Sequence, residues 1–174
     1  RKTEVDYVLN RAGGGRGGVI VANPVTAALR ELGLCGTRSP TKFIPESYLH
    51  NTSAVRLAVL QGLLDSDGGP VTQRGRTCRI HYTTCSARLR DDVSYLVRSL
   101  GGVAYVRTRA AAFVLDIRLP RGVDPFRLER KRDLYRRDGG GRPMRHVDAI
   151  EPAGEAETVC IQVAAADSLY VTDD

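Results

Sequence analysis

The stretch Ser53-Ala54-Val55-Arg56-Leu57-Ala58-Val59-Leu60-Gln61-Gly62-Leu63-Leu64-Asp65-Ser66-Asp67-Gly68-Gly69 decides the fold. Apolar residues at Val55, Leu57, Ala58, Val59, Leu60, Leu63 and Leu64 leave almost no polar face. A helix that is apolar all round is buried on most sides. Ser53 stands where an N-cap is expected. Ala58 and Gly62 lie four residues apart, on one face, where small side chains admit a second backbone at short range. Asp65 and Asp67 fall at the C-terminal end, ahead of Gly68 and Gly69. Carboxylates there oppose the helix dipole, and a bound cation would remove the penalty.

Leu60 to Gly68, with its Asp-x-Asp-Gly ending, resembles the signature of the LAGLIDADG homing endonucleases. The resemblance implies an α+β fold in which two such helices pack through their small residues, here Ala58 and Gly62. It implies that the last acidic residue of the motif, Asp67, with Gly68 beside it, holds a divalent metal, Mg²⁺, at the scissile phosphate. Upstream, Thr41-Lys42-Phe43-Ile44-Pro45-Glu46 is similar to the Lys-x-Ile-Pro segment that precedes the second motif helix in intein-borne members. By that likeness Lys42 stabilises the charge of the transition state or positions water. A surface lysine before a proline turn is the plainer reading.

The chain has 174 residues and 42% hydrophobic content, enough for one domain with a core, or one domain and a fragment. The net charge is +6. From Arg74 to Arg118 nine Arg face three acids, which accounts for the whole surplus. A localised basic excess favours a polyanionic partner; a solvated, Arg-rich surface is the alternative. The cysteines at 35, 78, 85 and 160 and the histidines at 50, 81 and 146 have no zinc spacing, and reduced thiols suit a cytoplasmic protein. No apolar run reaches membrane-span length, and no signal peptide is visible in these residues, which open Arg-Lys-Thr-Glu without Met.

Residues 3–9 alternate as a strand, Gly13 to Gly18 form a turn, and GVIVA reads as a second strand. The glycine run lacks the Gly-Lys-Ser/Thr ending of a P-loop. Asn23 and Pro24 open a helix as N-cap and N1, with Val25, Ala28, Leu29 and Leu32 on one face and Gly33 closing it. Between Gln73 and Thr84 two short strands or one long bent strand are expected. From Arg76 to Cys85 apolar and polar residues alternate, so that Arg79, His81 and Thr83 share the outer face. Ser86 caps a helix whose buried side is Leu89, Val93, Leu96, Val97 and Leu100, and Gly101-Gly102 ends it. Strands follow at 103–109 and 111–119. Residues 124–138 read as a charged helix with Phe126, Leu128 and Leu134 as its apolar contacts.

This order matches the αββαββα half of the homing endonuclease fold, beginning near residue 46, with residues 3–33 as the end of a preceding half. The expected DNA-contacting residues are Arg74, Arg76, Arg79, His81, Thr83, Arg107, Arg109 and Arg118. A β-ribbon carrying such a face fits a DNA groove.

Gly139-Gly140-Gly141 marks a linker between an endonuclease domain, 1–138, and a second unit, 142–174. There, Val159-Cys160-Ile161-Gln162-Val163 and Asp167 to Asp174 resemble the last strands of an intein splicing (Hint) domain, closest to inteins of replicative helicases and phage proteins. Short strands are expected near 145–151, 157–164 and 168–172. In one intein class a cysteine at the position of Cys160 is the nucleophile that takes the N-terminal segment as a thioester, a role a thiol suits. A small buried strand residue is the commoner fate of a cysteine. The terminal His-Asn, the N-terminal splicing blocks and a first LAGLIDADG motif are absent from these 174 residues.

The sequence therefore points to an intein-encoded endonuclease that cuts both strands of a long DNA site. Its partners would be double-stranded DNA, extein segments of a host protein, and a second LAGLIDADG half or a second copy of this chain. Two alternatives stay open: a DNA-binding module of the same fold without activity, and a splicing fragment acting through Cys160.

Overall fold

Burial alternates over residues 78–84, the pattern of a strand in a sheet with one covered face. The computed structural model describes residues 23–73, 76–137 and 143–170. The elements are α1 (Pro24–Glu31), a 3-10 turn (Ser39–Thr41), α2 (Glu46–Leu49), α3 (Ser53–Asp67), β1 (Gly68–Gln73), β2 (Arg76–Thr84), α4 (Ala87–Ser99), β3 (Val103–Arg109), β4 (Ala112–Arg118) and α5 (Glu129–Arg137). The strands pair antiparallel throughout, in the order β1-β2-β4-β3. From α3 onward the order is helix, two strands, helix, two strands, helix, the α+β arrangement expected from the sequence. Between Gln73 and Thr84 lies one strand, β2, and its hairpin partner β1 starts earlier than expected, at Gly68, directly after the motif helix. The strands and glycine turn expected within residues 1–22 lie outside the described residues.

The core sits between the sheet and α3 and α4. Cys78, Ile80 and Tyr82 of β2 and Leu115 and Ile117 of β4 are buried, and they meet Leu60 and Leu64 of α3 and Leu89, Val93, Leu96 and Val97 of α4. Ser86 caps α4 as expected, its Oγ accepting the Leu89 N–H at 3.1 Å. Both α1 and α4 close with paired bonds from the glycine and the residue after it: Gly33 and Leu34 N–H to Arg30 and Leu29 C=O, and Gly101 and Gly102 N–H to Arg98 and Val97 C=O. Asn23 caps α1 and Pro24 opens it. The face carrying Val25 and Leu29 is exposed, however, and α1 buries none of its residues.

Four expectations need correction. Ser53 is the first residue of α3, and Thr52 is the N-cap, without a side-chain cap bond. Only Leu60 and Leu64 of α3 are fully buried, because the sheet and α4 cover one side of the helix and the opposite side is open. The last helix begins at Glu129 rather than 124. Phe126 is buried ahead of it, whereas Leu128 and Leu134 are exposed, and Lys131 and Tyr135 turn inward instead. The fourth concerns the tail. Residues 143–170 form neither helix nor strand, and the strands expected at 145–151 and 157–164 are absent, as is the described part of 168–172. A strand needs an edge to pair with. The edge strand β3 meets the segment through the Tyr105 hydroxyl, which donates to Met144 C=O at 2.9 Å, but among the described residues no backbone pairing follows, and Val147, Ile150, Val159 and Ile161 stay exposed.

Candidate nucleic-acid interface and acidic site

One face of the sheet is covered by α3 and α4; the other carries the basic residues. Pairing aligns His81 with Asp116, and Asp116 with Tyr105, across β2, β4 and β3. Residues two apart share a face, so Arg79, His81, Thr83, Ala112, Val114, Asp116, Arg107 and Arg109 all belong to the uncovered side. They line an open concavity of ≈ 620 Å³ together with Val71. His81, Thr83, Arg107 and Arg109 are exposed, as a surface for an extended anion requires. Arg118 lies at the far end of β4, half-buried. Arg74, and the side chain of Arg76, lie outside the described residues.

At the middle of this cationic face sits a residue the sequence reading left without a role. Asp116 is buried, and its Oδ2 accepts from Arg79 at 2.7 Å and from Arg107 at 3.4 Å. A carboxylate between two guanidinium groups holds both side chains in place and lowers their mutual repulsion. Only its outward position on β4 was legible beforehand. That Arg79 and Arg107, on strands flanking β4, converge on it depends on the strand order.

The acidic end of α3 also differs from the sequence picture. Asp65 and Asp67 part company. The Asp65 carboxylate accepts the backbone N–H groups of Arg127 (3.0 Å) and Leu128 (3.2 Å), just ahead of α5. Gln61, one turn earlier, donates to Asp124 C=O at 2.7 Å and accepts from Arg127 Nε at 2.9 Å. These two α3 side chains anchor the 124–128 segment. Asp67 is exposed and takes no hydrogen bond or ion pair among the described residues.

The cation expected at the α3 C-terminus is supplied by the chain itself. Lys131 of α5 is buried and its Nζ donates to three backbone carbonyls: Leu64 (2.9 Å), Asp65 (2.7 Å) and Gly68 (2.6 Å). An ammonium has three donors, and all are used. Burial pulls its pKa below the ordinary lysine value, with Arg130 adding to the effect and Asp65 and Asp67 opposing it. The dipole penalty at this terminus is therefore no argument for a metal. In the run Arg127 to Arg137 Lys131 is the one lysine among arginines and stands one helical turn before Tyr135, but neither mark names the carbonyls it meets. Gly68 is required at the junction, since a Cβ there would lie 2.9 Å from the Leu64 backbone.

Asp67 also acts on the core. The Tyr82 hydroxyl is pushed up to about 12, chiefly by burial and further by the Asp67 charge. Gly68 pairs with Tyr82, so the antiparallel register carries Asp67 alongside Thr83 at the end of β2. Lys42 is near that same end. Ser86 Oγ donates to its carbonyl at 2.6 Å, and buried Asp92 accepts the Ile44 N–H at 2.7 Å. Burial pushes the Asp92 carboxyl above the usual range, against the pull of the Ile44 hydrogen bond. The Lys42 side chain is exposed. Asp67 and Lys42 thus share one end of the sheet, separated along the strand direction by on the order of 10 Å.

Asp67 suits a divalent ion only as one member of a larger ligand set. Among the described residues no group of three His, Cys, Asp or Glu side chains comes together. A single carboxylate with phosphate and water is a donor set that Mg²⁺ accepts. Gly68 C=O, the other expected ligand, is occupied by Lys131. Gly62 is exposed with open space where a Cβ would point, and Ala58 is half-buried; Asp65, on the same side one turn later, already holds residues 127–128. Cys160 is an exposed free thiol in the tail, brought near none of the other candidate residues by any described contact. Among the described residues no helix is long and apolar enough to cross a membrane.

Comparison with known proteins agrees with this architecture over its central part. The chain is 36% identical over 72 residues to the DNA gyrase A protein of Mycobacterium leprae, which covers 41% of this chain and 6% of that protein. It is 32% identical over 71 residues to the DNA gyrase A protein of Mycobacterium gordonae, covering 41% of this chain and 13% of the relative. A third similarity, 34% over 90 residues, is to the replicative DNA helicase DnaB of Rhodothermus marinus, covering 51% of this chain and 10% of the relative. The chain therefore spans only a small part of these relatives. Residues 54–117, from the start of α3 to the end of β4, match the family of the LAGLIDADG-like domain.

Proposed function

We propose that this chain is the DNA-cutting part of an intein-borne homing endonuclease, hydrolysing phosphodiesters in both strands of a long duplex site. The observation that carries the reading is Asp67: an exposed carboxylate without a hydrogen bond among the described residues, at the end of a LAGLIDADG-like helix and beside an open basic sheet face. In hydrolysis, water forms a bond to phosphorus as the bond to the sugar oxygen breaks, and a proton passes to the leaving oxygen. Asp67 would hold Mg²⁺, which when bound supplies positive charge and an acidified water. Lys42, its backbone carbonyl held by Ser86 and its side chain exposed, would meet phosphate charge. Arg79, Arg107, Arg109, His81 and Thr83 would hold the duplex, with Arg74, Arg76 and Arg118 extending the track. A second acidic site would come from another motif helix against Ala58 and Gly62, in a separate half or a second copy.

The intein part rests on the pattern of relatives. Short segments of this chain match a gyrase and a helicase, each over at most 13% of the relative's length. Partial matches to proteins so differently named, each to a small share of a longer relative, are what an inserted element leaves behind. Residues 142–174 would then belong to the splicing unit of a cytoplasmic host protein, with extein segments as partners and Cys160 as nucleophile. Supplying the missing splicing segments in trans should give a thioester at Cys160; no adduct with any segment rejects that part.

The decisive experiment is cleavage of a plasmid library in Mg²⁺ and in EDTA, by the chain and by Asp67→Asn. Linear product in Mg²⁺ alone, lost in the variant, supports the reading, and equal cutting by Asp67→Asn overturns it. A second reading has its own observation: Asp65 is committed to backbone N–H groups, which leaves one free acid at the helix end. A DNA-binding module without activity would bind duplex DNA and cut in neither condition.

A further inference from the structure

We infer that Lys131 is a positioning residue: its ammonium occupies the carbonyl cluster at the α3 terminus, so that a divalent ion is left with the Asp67 side chain as its anchor. This deepens the metal reading of Asp67 and rests on it.

The argument starts from how α3 ends. Helices α1 and α4 close with a glycine at positive φ (Gly33 at 69° and Gly101 at 78°) that ties up the last carbonyls. Helix α3 has no such turn. Gly68 is extended, at φ −104°, and the chain runs from the last helical residue directly into β1. The Gly68 N–H reaches Leu64 C=O, but among the described residues Asp65 C=O has no backbone closure, and the turn into β1 brings Gly68 C=O beside these two. Such a cluster, at the negative end of a helix, is itself a cation site.

Lys131 fills it. Two of the carbonyls it holds, those of Asp65 and Gly68, lie on either side of Asp67 in the chain. One ammonium therefore fixes the backbone before and after the acid while leaving its side chain in solvent. Phe126 places its ring 5.9 Å from Nζ, so that an aromatic face also borders the charge. Burying an ammonium is costly unless every donor is met, as it is here. With the carbonyls taken, a second cation close to them is repelled, and Asp67 is the remaining anionic handle. Removing the ammonium would expose three oxygens to the same ion.

The test is a double-variant cycle read by Mn²⁺ binding, followed by electron paramagnetic resonance on the full chain with a short DNA duplex present to supply the phosphate ligand. The proteins are the parent, Asp67→Asn, Lys131→Met and the double variant. In the parent, Asp67→Asn should weaken Mn²⁺ binding about tenfold or more. In the Lys131→Met background the same change should matter less than about threefold, because the freed carbonyls take the ion. Lys131→Arg, which keeps the positive charge, should restore the dependence on Asp67. If Lys131→Met does not fold, Lys131→Arg against Lys131→Gln carries the comparison. An Asp67 effect of equal size in charged and uncharged backgrounds overturns the inference. No Asp67 effect in the parent overturns the metal reading and this inference together, which distinguishes the two failures.

Discussion

Asp65 and Asp67 stand two residues apart in one motif, yet the structure predicts opposite consequences for their removal. Asp65→Ala deletes a carboxylate that accepts two backbone N–H groups ahead of α5. Hydrogen bonds to a charged group contribute roughly 1.5–3 kcal/mol when buried, and capping substitutions typically cost about 1 kcal/mol. These bonds are solvent-exposed, so the lower part of the range applies, about 1–2 kcal/mol. Asp67→Ala removes no hydrogen bond among the described residues and relieves a charge opposed to the helix dipole, so its effect lies between zero and a gain of roughly 0.5 kcal/mol. Urea unfolding of both variants, read by far-ultraviolet circular dichroism, measures the difference directly. Hydrogen exchange at residues 127–132 localises it, because Asp65→Ala should loosen the start of α5 first. If the two variants are equally stable, or if Asp67→Ala is the more damaged, the assignment of Asp65 to scaffold and Asp67 to chemistry is wrong.

Three further expectations follow from other parts of the molecule. Tyr82 ionises near 12 in the folded chain and near 10 when unfolded, so the unfolded state loses its proton first. Stability should fall between those pH values by about 1.4 kcal/mol per unit, and ultraviolet titration should show Tyr82 ionising earlier in Asp67→Asn. Arg109→Ala should weaken duplex binding similarly for all sequences and reduce the slope of log affinity against log salt by about 0.9; an unchanged slope means that this face does not meet phosphate. Ala110 holds φ +51° in the two-residue turn between β3 and β4, so Ala110→Gly should raise the urea midpoint, corresponding to about 0.5–1 kcal/mol.

The parts of the molecule written in local chemistry were readable without coordinates. Ser86 announces a helix because a hydroxyl before an amphipathic run has one good use, and β2 announces a strand because its apolar residues recur every second position. What could not be read depends on strand order or on a partner distant in the chain. Asp116 finds Arg79 and Arg107 only because β4 lies between β2 and β3. Lys131 stands out as a lysine among arginines, yet its carbonyl partners appear only once α5 lies across the end of α3. The Asp-x-Asp pattern named the right helix end but gave no means of dividing the two acids. The tail shows the reverse failure: strand-like alternation around Val159 and Ile161 remains a pattern without an edge to receive it.

Ser86 has a consequence of its own. A single hydroxyl accepts from the first turn of α4 and donates to the carbonyl of Lys42. Ends with few buried contacts fray well below the temperature at which a core melts, but Ser86 and Leu89 are both buried. Warming should therefore leave this helix start, and the lysine backbone moored to it, in place until β2 and β4 themselves part.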